Sequence, residues 1–297
     1  MIIFKSTTAG IKRVGFSSPL YSIFLSALLF IGCKDSKPTG LLVMCGAANK
    51  PPMEEIAVRF QKQTGDPVRL ILGGSGSLLS QMKISRHGDI YLPGSPDYIL
   101  KAKQMRQIHP DTVRRVAYLI PAIVVPRGNP AGIKRLKDLA RPGLRIGMGN
   151  PETVCLGLYG IELLEYNRLL EPVLKNVVTH GASCSKTANL AAMGQVDAIL
   201  GWRVFQHWNP GKMQYILPDK KEIPRISYIP IAVSIHTRNR ALAEEFIKFV
   251  LSKKGRAIYR KWGYISDRDE ALRYSASGKI GGLYTLPDAY YRLSGLR

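Results

Sequence analysis

The chain reads as α/β, built as two domains whose sheets are mostly parallel. Three observations predict this. From Leu41 onward short β-rich runs alternate with helical ones, the alternation restarts after a linker rich in Pro and Gly, and long β runs join the two series. The 264 residues after Cys33 exceed the usual size of one compact core and suit two domains.

In the first series, residues 41–44 predict a strand and 53–63 an amphipathic helix with Ile56, Val58 and Phe60 as apolar positions. A strand at 67–72 leads into Gly73-Gly74-Ser75-Gly76-Ser77 and a helix starting near Leu78. A strand at 89–92, a helix at 97–104 and a long β run at 116–125 complete it. The second series predicts strands at 144–148, 176–179 and 196–200, with helices at 156–166 and 186–193. A last β run at 226–235 feeds helices at 241–251 and 254–262.

In open parallel sheets ligands sit beyond the carboxyl ends of the strands, so the residues just after each strand carry the functional argument. They are Cys45 to Asn49, the Gly/Ser loop at 73–77, Gly149 to Gly157, His180 to Lys186, and Gly201-Trp202-Arg203. Four of these five segments place Gly or Ser before a helix. A helix N-terminus presents unpaired N–H groups and a partial positive charge, so such loops can cradle an anion without a formal cation; taken singly, each also reads as a flexible turn. The loop at 73–77 is neither a Walker loop nor a dinucleotide fingerprint.

Residues 1–33 read as an export signal: Lys5, Lys12 and Arg13 form a basic start, 20–31 is a short apolar core, and Gly32-Cys33 ends it. The end is similar to a bacterial lipobox, with Phe30 where Leu is usual, which implies acylation of Cys33; cleavage at an ordinary signal-peptidase site is the alternative. Either route places the protein outside the cytoplasm, with 34–40 as a polar tether. Of the net charge of +22, the leader carries +3, leaving +19. The basic residues are scattered and no nucleic-acid motif is present, so the charge points to small anions and anionic lipid headgroups, and nucleic acid is not expected as a partner.

Three cysteines besides Cys33, namely Cys45, Cys155 and Cys184, each follow a predicted strand. They read as small buried residues, as a Cys155–Cys184 disulfide, or as a soft-ligand or metal site in which three thiolates meet. Their spacing matches no zinc motif. Ser75 has no neighbouring base in sequence, and no Ser/His/Asp order suggests a hydrolase.

In order and spacing, several pieces resemble the type II periplasmic substrate-binding proteins, in their molybdate/tungstate-binding branch. They include Ala47-Ala48-Asn49 with 53–57, residues 73–81, Gly88-Asp89-Ile90-Tyr91, Gly149 to Glu152 with 156–159, 194–198, 229–233, and the closing helix 241–249 with Trp262-Gly263-Tyr264. The resemblance runs from about Leu41 to Tyr264. It implies two lobes, 41–119 plus 227–297 and 120–226, hinged on two crossing strands near 118–123 and 228–231. It further implies a tetrahedral oxyanion held between the lobes by neutral donors. Carried over by position, these are Ala48, Asn49, Ser75 and Gly76 from the first lobe, with Cys155, Leu156, Lys186 and Trp202 from the second. Where the family carries a serine hydroxyl this chain has Ala48 and Asn49, and where it uses a tyrosine hydroxyl it has Trp202, whose indole is a donor only.

The expectation is therefore a monomeric, lipid-anchored receptor, periplasmic or at the cell surface, without cofactor or catalysis. It would deliver molybdate or tungstate, with sulfate next, to an ABC transporter permease. A metal- or thio-ligand receptor using the cysteines, and a sensor or scaffold lipoprotein, are the alternatives. The tail from Ser266 to Arg297 lies outside the resemblance.

Overall fold

The computed structural model describes residues 40–294; the leader, Cys33 and most of the tether lie outside the described residues. Among the described residues ten strands form two five-stranded sheets. The first sheet holds β1 (Leu41–Gly46), β2 (Val68–Gly73), β3 (Ile90–Leu92), β4 (Arg114–Leu119) and β10 (Ser227–Val233). The second holds β5 (Pro121–Pro126), β6 (Ile146–Gly149), β7 (Val177–Gly181), β8 (Ala198–Trp202) and β9 (Met213–Ile216). The spatial orders are β2-β1-β3-β10-β4 and β7-β6-β8-β5-β9. In each sheet four strands share one direction and one is reversed, β10 in the first and β5 in the second.

Helices α1 (Lys50–Thr64), α2 (Ser75–Ser85) and α3 (Pro96–Gln104) follow β1, β2 and β3. Helices α4 (Cys155–Tyr166) and α5 (Leu170–Leu174) follow β6, α6 (Cys184–Ala192) follows β7, and α7 (Phe205–Trp208) follows β8. After β10 come α8 (Arg240–Leu251), α9 (Lys253–Lys261), α10 (Arg268–Leu272) and α11 (Asp288–Leu293). Local chemistry sets several ends. Two prolines enter the first turn of α1, where a missing N–H costs nothing, and Gly65 closes it at φ +84°, a left-handed cap that glycine adopts without a Cβ penalty.

The β run expected at 116–125 is two strands in two different sheets. Leu119 pairs with Ser227 in the first sheet, and two residues later Pro121 pairs with Trp202 in the second. Pro121 has no N–H to donate, so it suits the first position of a strand, where the chain changes sheets. The chain returns between β9 and β10, beside the first crossing.

One buried apolar cluster runs from the first sheet into Val154, Cys155, Cys184 and Trp202 of the second. Another fills the far side of the second sheet. The tail packs on this second cluster through Ala271 and Tyr290. It also ties to both sides, since the Tyr284 amide donates to Asp97 of α3 at 2.9 Å and its hydroxyl to Glu165 of α4 at 2.5 Å. Aromatic residues spaced along an otherwise polar tail supply the apolar area that holds it down.

Candidate functional site

Helices α1, α2, α4 and α6 all begin at the carboxyl ends of parallel strands, with a 3-10 turn, Ala47–Asn49, preceding α1. The two sides meet at these beginnings. The Gly76 amide donates to Thr153 O at 2.8 Å, and the Tyr98 hydroxyl to Glu152 O at 3.1 Å. Gly74 permits the approach: a Cβ there would lie 2.7 Å from Thr153 O and 3.0 Å from Ala182 O. At Gly94 a Cβ would meet Cys155 Sγ at 2.6 Å and Ala48 Cβ at 2.9 Å. Ala48, Ser75, Gly94 and Cys155 therefore share one small volume between the sheets.

Ser75 is 1 % exposed. Its Oγ accepts the Gly94 amide at 3.0 Å, and its carbonyl accepts the Tyr91 hydroxyl at 2.8 Å. A hydroxyl that accepts one bond keeps its own proton to donate, and Cys155 lies within its reach. Cys155 Sγ is 3.7 Å from Cys184 Sγ, and both thiols are free and buried. The hydrogen bond to Cys184, and burial after it, push the Cys155 thiol well above its ordinary value.

Trp202 ends β8 with no exposed surface and stands edge-on to Tyr159 at 5.2 Å between centroids. Its indole N–H has no partner among the described residues. Such orphans are rare in folded chains, and this one can only donate. Leu156 occupies the second position of α4, where backbone amides have no intrahelical acceptor.

Three expectations need correction. The Asn49 side chain is not freely mobile in place of a hydroxyl: its Nδ2 gives one of its two hydrogens to Gly46 O at 3.1 Å and its Oδ1 accepts from Tyr259 at 3.2 Å. The Lys186 amide is occupied by Ser183 Oγ at 3.2 Å, because α6 begins at Cys184 with Ser183 as N-cap, and the Lys186 side chain is exposed. The open amides of that turn lie earlier, at Cys184 and Ser185. Third, the three cysteines do not assemble. Cys45 is buried with its thiol against Gly46 O, and among the described residues no three His, Cys, Asp or Glu side chains come together to hold a metal.

Sequence reasoning missed a buried charge cluster beside the cleft. Arg225, 6 % exposed, bridges Asp97 of α3 at 3.0 Å and Glu162 of α4 at 2.7 Å. Its guanidinium lies 4.2 Å from the Tyr159 ring centroid and donates to Gly282 O at 2.9 Å. Burial raises the Glu162 carboxyl despite the arginine. The pairing neutralises Asp97, a fully buried carboxylate that would otherwise repel an anion nearby. No local motif marks Arg225, since its acidic partners are 128 and 63 residues away in sequence.

Two sheets meeting at helix N-termini, crossed twice by the chain, define the class as a two-lobed solute-binding protein of the type II periplasmic fold. Residues 41–265 match the family model described as bacterial extracellular solute-binding protein, and the chain belongs to that family. It is similar to a Bacillus subtilis protein named "Putative ABC transporter substrate-binding lipoprotein YvgL", 24 % identical over 260 residues, covering 83 % of this chain and 98 % of the relative. Among solved structures it resembles the Azotobacter vinelandii periplasmic molybdate-binding protein, with TM-score 0.68, 21 % identity, and coverage of 76 % of this chain and 99 % of that one. It also resembles the sulfate-binding protein SubI from Mycobacterium tuberculosis, with TM-score 0.69, 15 % identity, and coverage of 82 % and 94 %.

Proposed function

We propose that the protein is an extracytoplasmic lipoprotein, acylated at Cys33, that captures a tetrahedral oxyanion between its lobes and hands it to an ABC transporter permease. Molybdate or tungstate is the leading ligand and sulfate the next. The observation that carries the reading is the convergence of Ala48, Ser75 and the first turns of α2, α4 and α6 on one buried place, with the orphaned Trp202 indole N–H in the same apolar cluster. Neutral donors fixed by helix starts suit a dehydrated dianion, because they need little reorganisation when it arrives. Cys155 and Leu156 supply backbone amides to that place and Ser75 a hydroxyl, while the Gly76 amide, expected as a donor, is taken by Thr153 O at 2.8 Å. Names of relatives that bind molybdate and sulfate, and of one called a lipoprotein, agree with this reading.

Calorimetry on the reduced protein with molybdate, tungstate, sulfate and phosphate tests it. Micromolar or tighter binding of one of the first three is the expected result, and heat from none of them overturns the reading. A second reading, a receptor for a thiophilic ligand, is favoured by one observation, the Cys155–Cys184 pair. Uptake of a soft metal ion that disappears in Cys155→Ser, with no oxyanion heat, would select it.

A further inference from the structure

At the opposite, amino end of the first sheet lies a recess of about 550 Å³ that includes Arg69, Arg86, His87, His236 and Arg238 in its walls. None of the three guanidinium groups is in an ion pair among the described residues. The one acid in the wall, Asp89, is fixed by two neutral donors, Oδ2 accepting the Leu42 amide at 2.8 Å and Oδ1 the Thr237 hydroxyl at 2.7 Å, so three guanidinium charges face a single carboxylate. Burial, then the charges of Arg86 and His87, hold His236 below its ordinary value, so the ring reports the positive field of the recess without adding to it. Arg86 also sits at φ 53°, a left-handed position that favours glycine or asparagine, so a long cationic side chain stands where the backbone prefers a small one.

Two exposed isoleucines adjoin these cations in sequence. Ile84 is 83 % exposed, two residues before Arg86, and Ile235 is 44 % exposed, directly before His236. Basic groups beside exposed aliphatic side chains are the composition of a surface that rests in a headgroup layer. Gly40, the first described residue, lines the same recess. Cys33 is seven residues upstream, a distance the chain spans with at most about 25 Å.

We propose that this recess docks on the phosphate-bearing headgroups of anionic lipids, holding the first lobe against the membrane that the acyl chain enters. The docking rests on the lipoprotein reading for its biological setting, while the surface chemistry stands without it. A partner with clustered phosphates at a flat interface meets all three guanidinium groups at once, and the isoleucines supply apolar insertion that a dissolved anion would not use.

The test uses the unacylated mature chain starting at Lys34, which keeps every described residue. It is sedimented with phosphatidylcholine vesicles, with and without 30 % phosphatidylglycerol, at about 0.1 M salt, where surface charges are still felt over roughly 10 Å. Binding is expected only with phosphatidylglycerol. It should fall at least tenfold in the triple variant Arg69→Gln, Arg86→Asn, Arg238→Gln, and by less than twofold in the charge-matched control Lys137→Gln, Lys220→Gln, Lys221→Gln. Asn at position 86 tolerates the left-handed backbone, and a melting curve verifies that the triple variant folds. Equal losses in both variants, or no dependence on phosphatidylglycerol, overturn the proposal. So does calorimetric binding of inorganic phosphate that the triple variant abolishes while vesicle binding is weak, which would make the recess a small-anion site. Mass measurement of Cys33 acylation in cells is read separately, so failure of the lipoprotein reading is distinguishable from failure of the docking.

Discussion

Cys155 Sγ and Cys184 Sγ face each other at 3.7 Å across the first turns of two helices that follow neighbouring strands of one sheet. A disulfide needs about 2.05 Å, so oxidation would draw the two sulfur atoms together beside the amides that the proposed anion uses. In the reduced protein the Cys155 thiol is held protonated, raised first by its hydrogen bond to Cys184 and then by burial. Iodoacetamide at pH 8 should therefore modify native Cys155 at least tenfold more slowly than the guanidinium-unfolded chain, read by mass spectrometry. The sign of the linked stability follows. Below the unfolded thiol value of about 9 the raised thiol changes nothing. Above it the unfolded chain loses a proton that the fold retains, so melting temperature should fall as pH rises beyond about 9. Equal rates in native and unfolded protein would refute the buried, protonated Cys155 thiol.

Ser75→Ala removes a hydroxyl that both receives the Gly94 amide and remains free to donate. Oxyanion affinity should weaken by about 1–3 kcal/mol, and stability should drop by a similar amount because the Gly94 N–H loses its acceptor. Calorimetry and thermal melting separate the two effects. A lower melting temperature with unchanged affinity would make Ser75 a structural tie only.

Trp202→Phe keeps an aromatic body against Tyr159 and deletes the partnerless indole N–H. Stability should change by less than about 1.5 kcal/mol, since the lost volume is offset by removing a buried orphan donor. Oxyanion affinity should fall by about 1–3 kcal/mol if the indole donates to the ligand. Unchanged affinity would assign the tryptophan to packing.

Asp97→Asn leaves Arg225 with Glu162 alone in a site where the arginine is almost fully buried. Breaking one arm of a buried ionic cluster costs about 3–5 kcal/mol, so urea unfolding should show a clear drop in midpoint with little change in slope. The Tyr284 amide donates to the same carboxylate, and the neutral Oδ1 of asparagine is a weaker acceptor, so the tie to the tail loosens. Faster proteolysis of the tail after Ile265 is expected, read by limited digestion.

Where local pattern governed the outcome, the sequence was readable. The strand–loop–helix at Val68–Gly73 and Ser75–Ser85 follows from an apolar run ending in glycines, and helix α8 from its apolar spacing. Run 116–125 was less readable, because continuous apolar character is the same whether a strand stays in one sheet or changes sheets; Pro121 was the available sign. Strand β9, four residues at the sheet edge, offers too short a pattern to detect. The start of α6 could have been found two residues earlier, since Ser183 is an N-cap residue type, and that would have shown the Lys186 amide to be occupied.

By itself the sequence determined the alternation of strands and helices, and with it the placement of Ser75, Cys155 and Cys184 at strand ends where a ligand cleft forms. These follow from periodicity and glycine placement, which act over a few residues. Only the tertiary structure decided that Cys155 meets Cys184 but not Cys45, that Asn49 turns its amide inward, that Arg225 binds Asp97 and Glu162, and that the tail straddles both sides. Each of these depends on contacts between residues far apart in the chain, and burial rather than local propensity sets their energy.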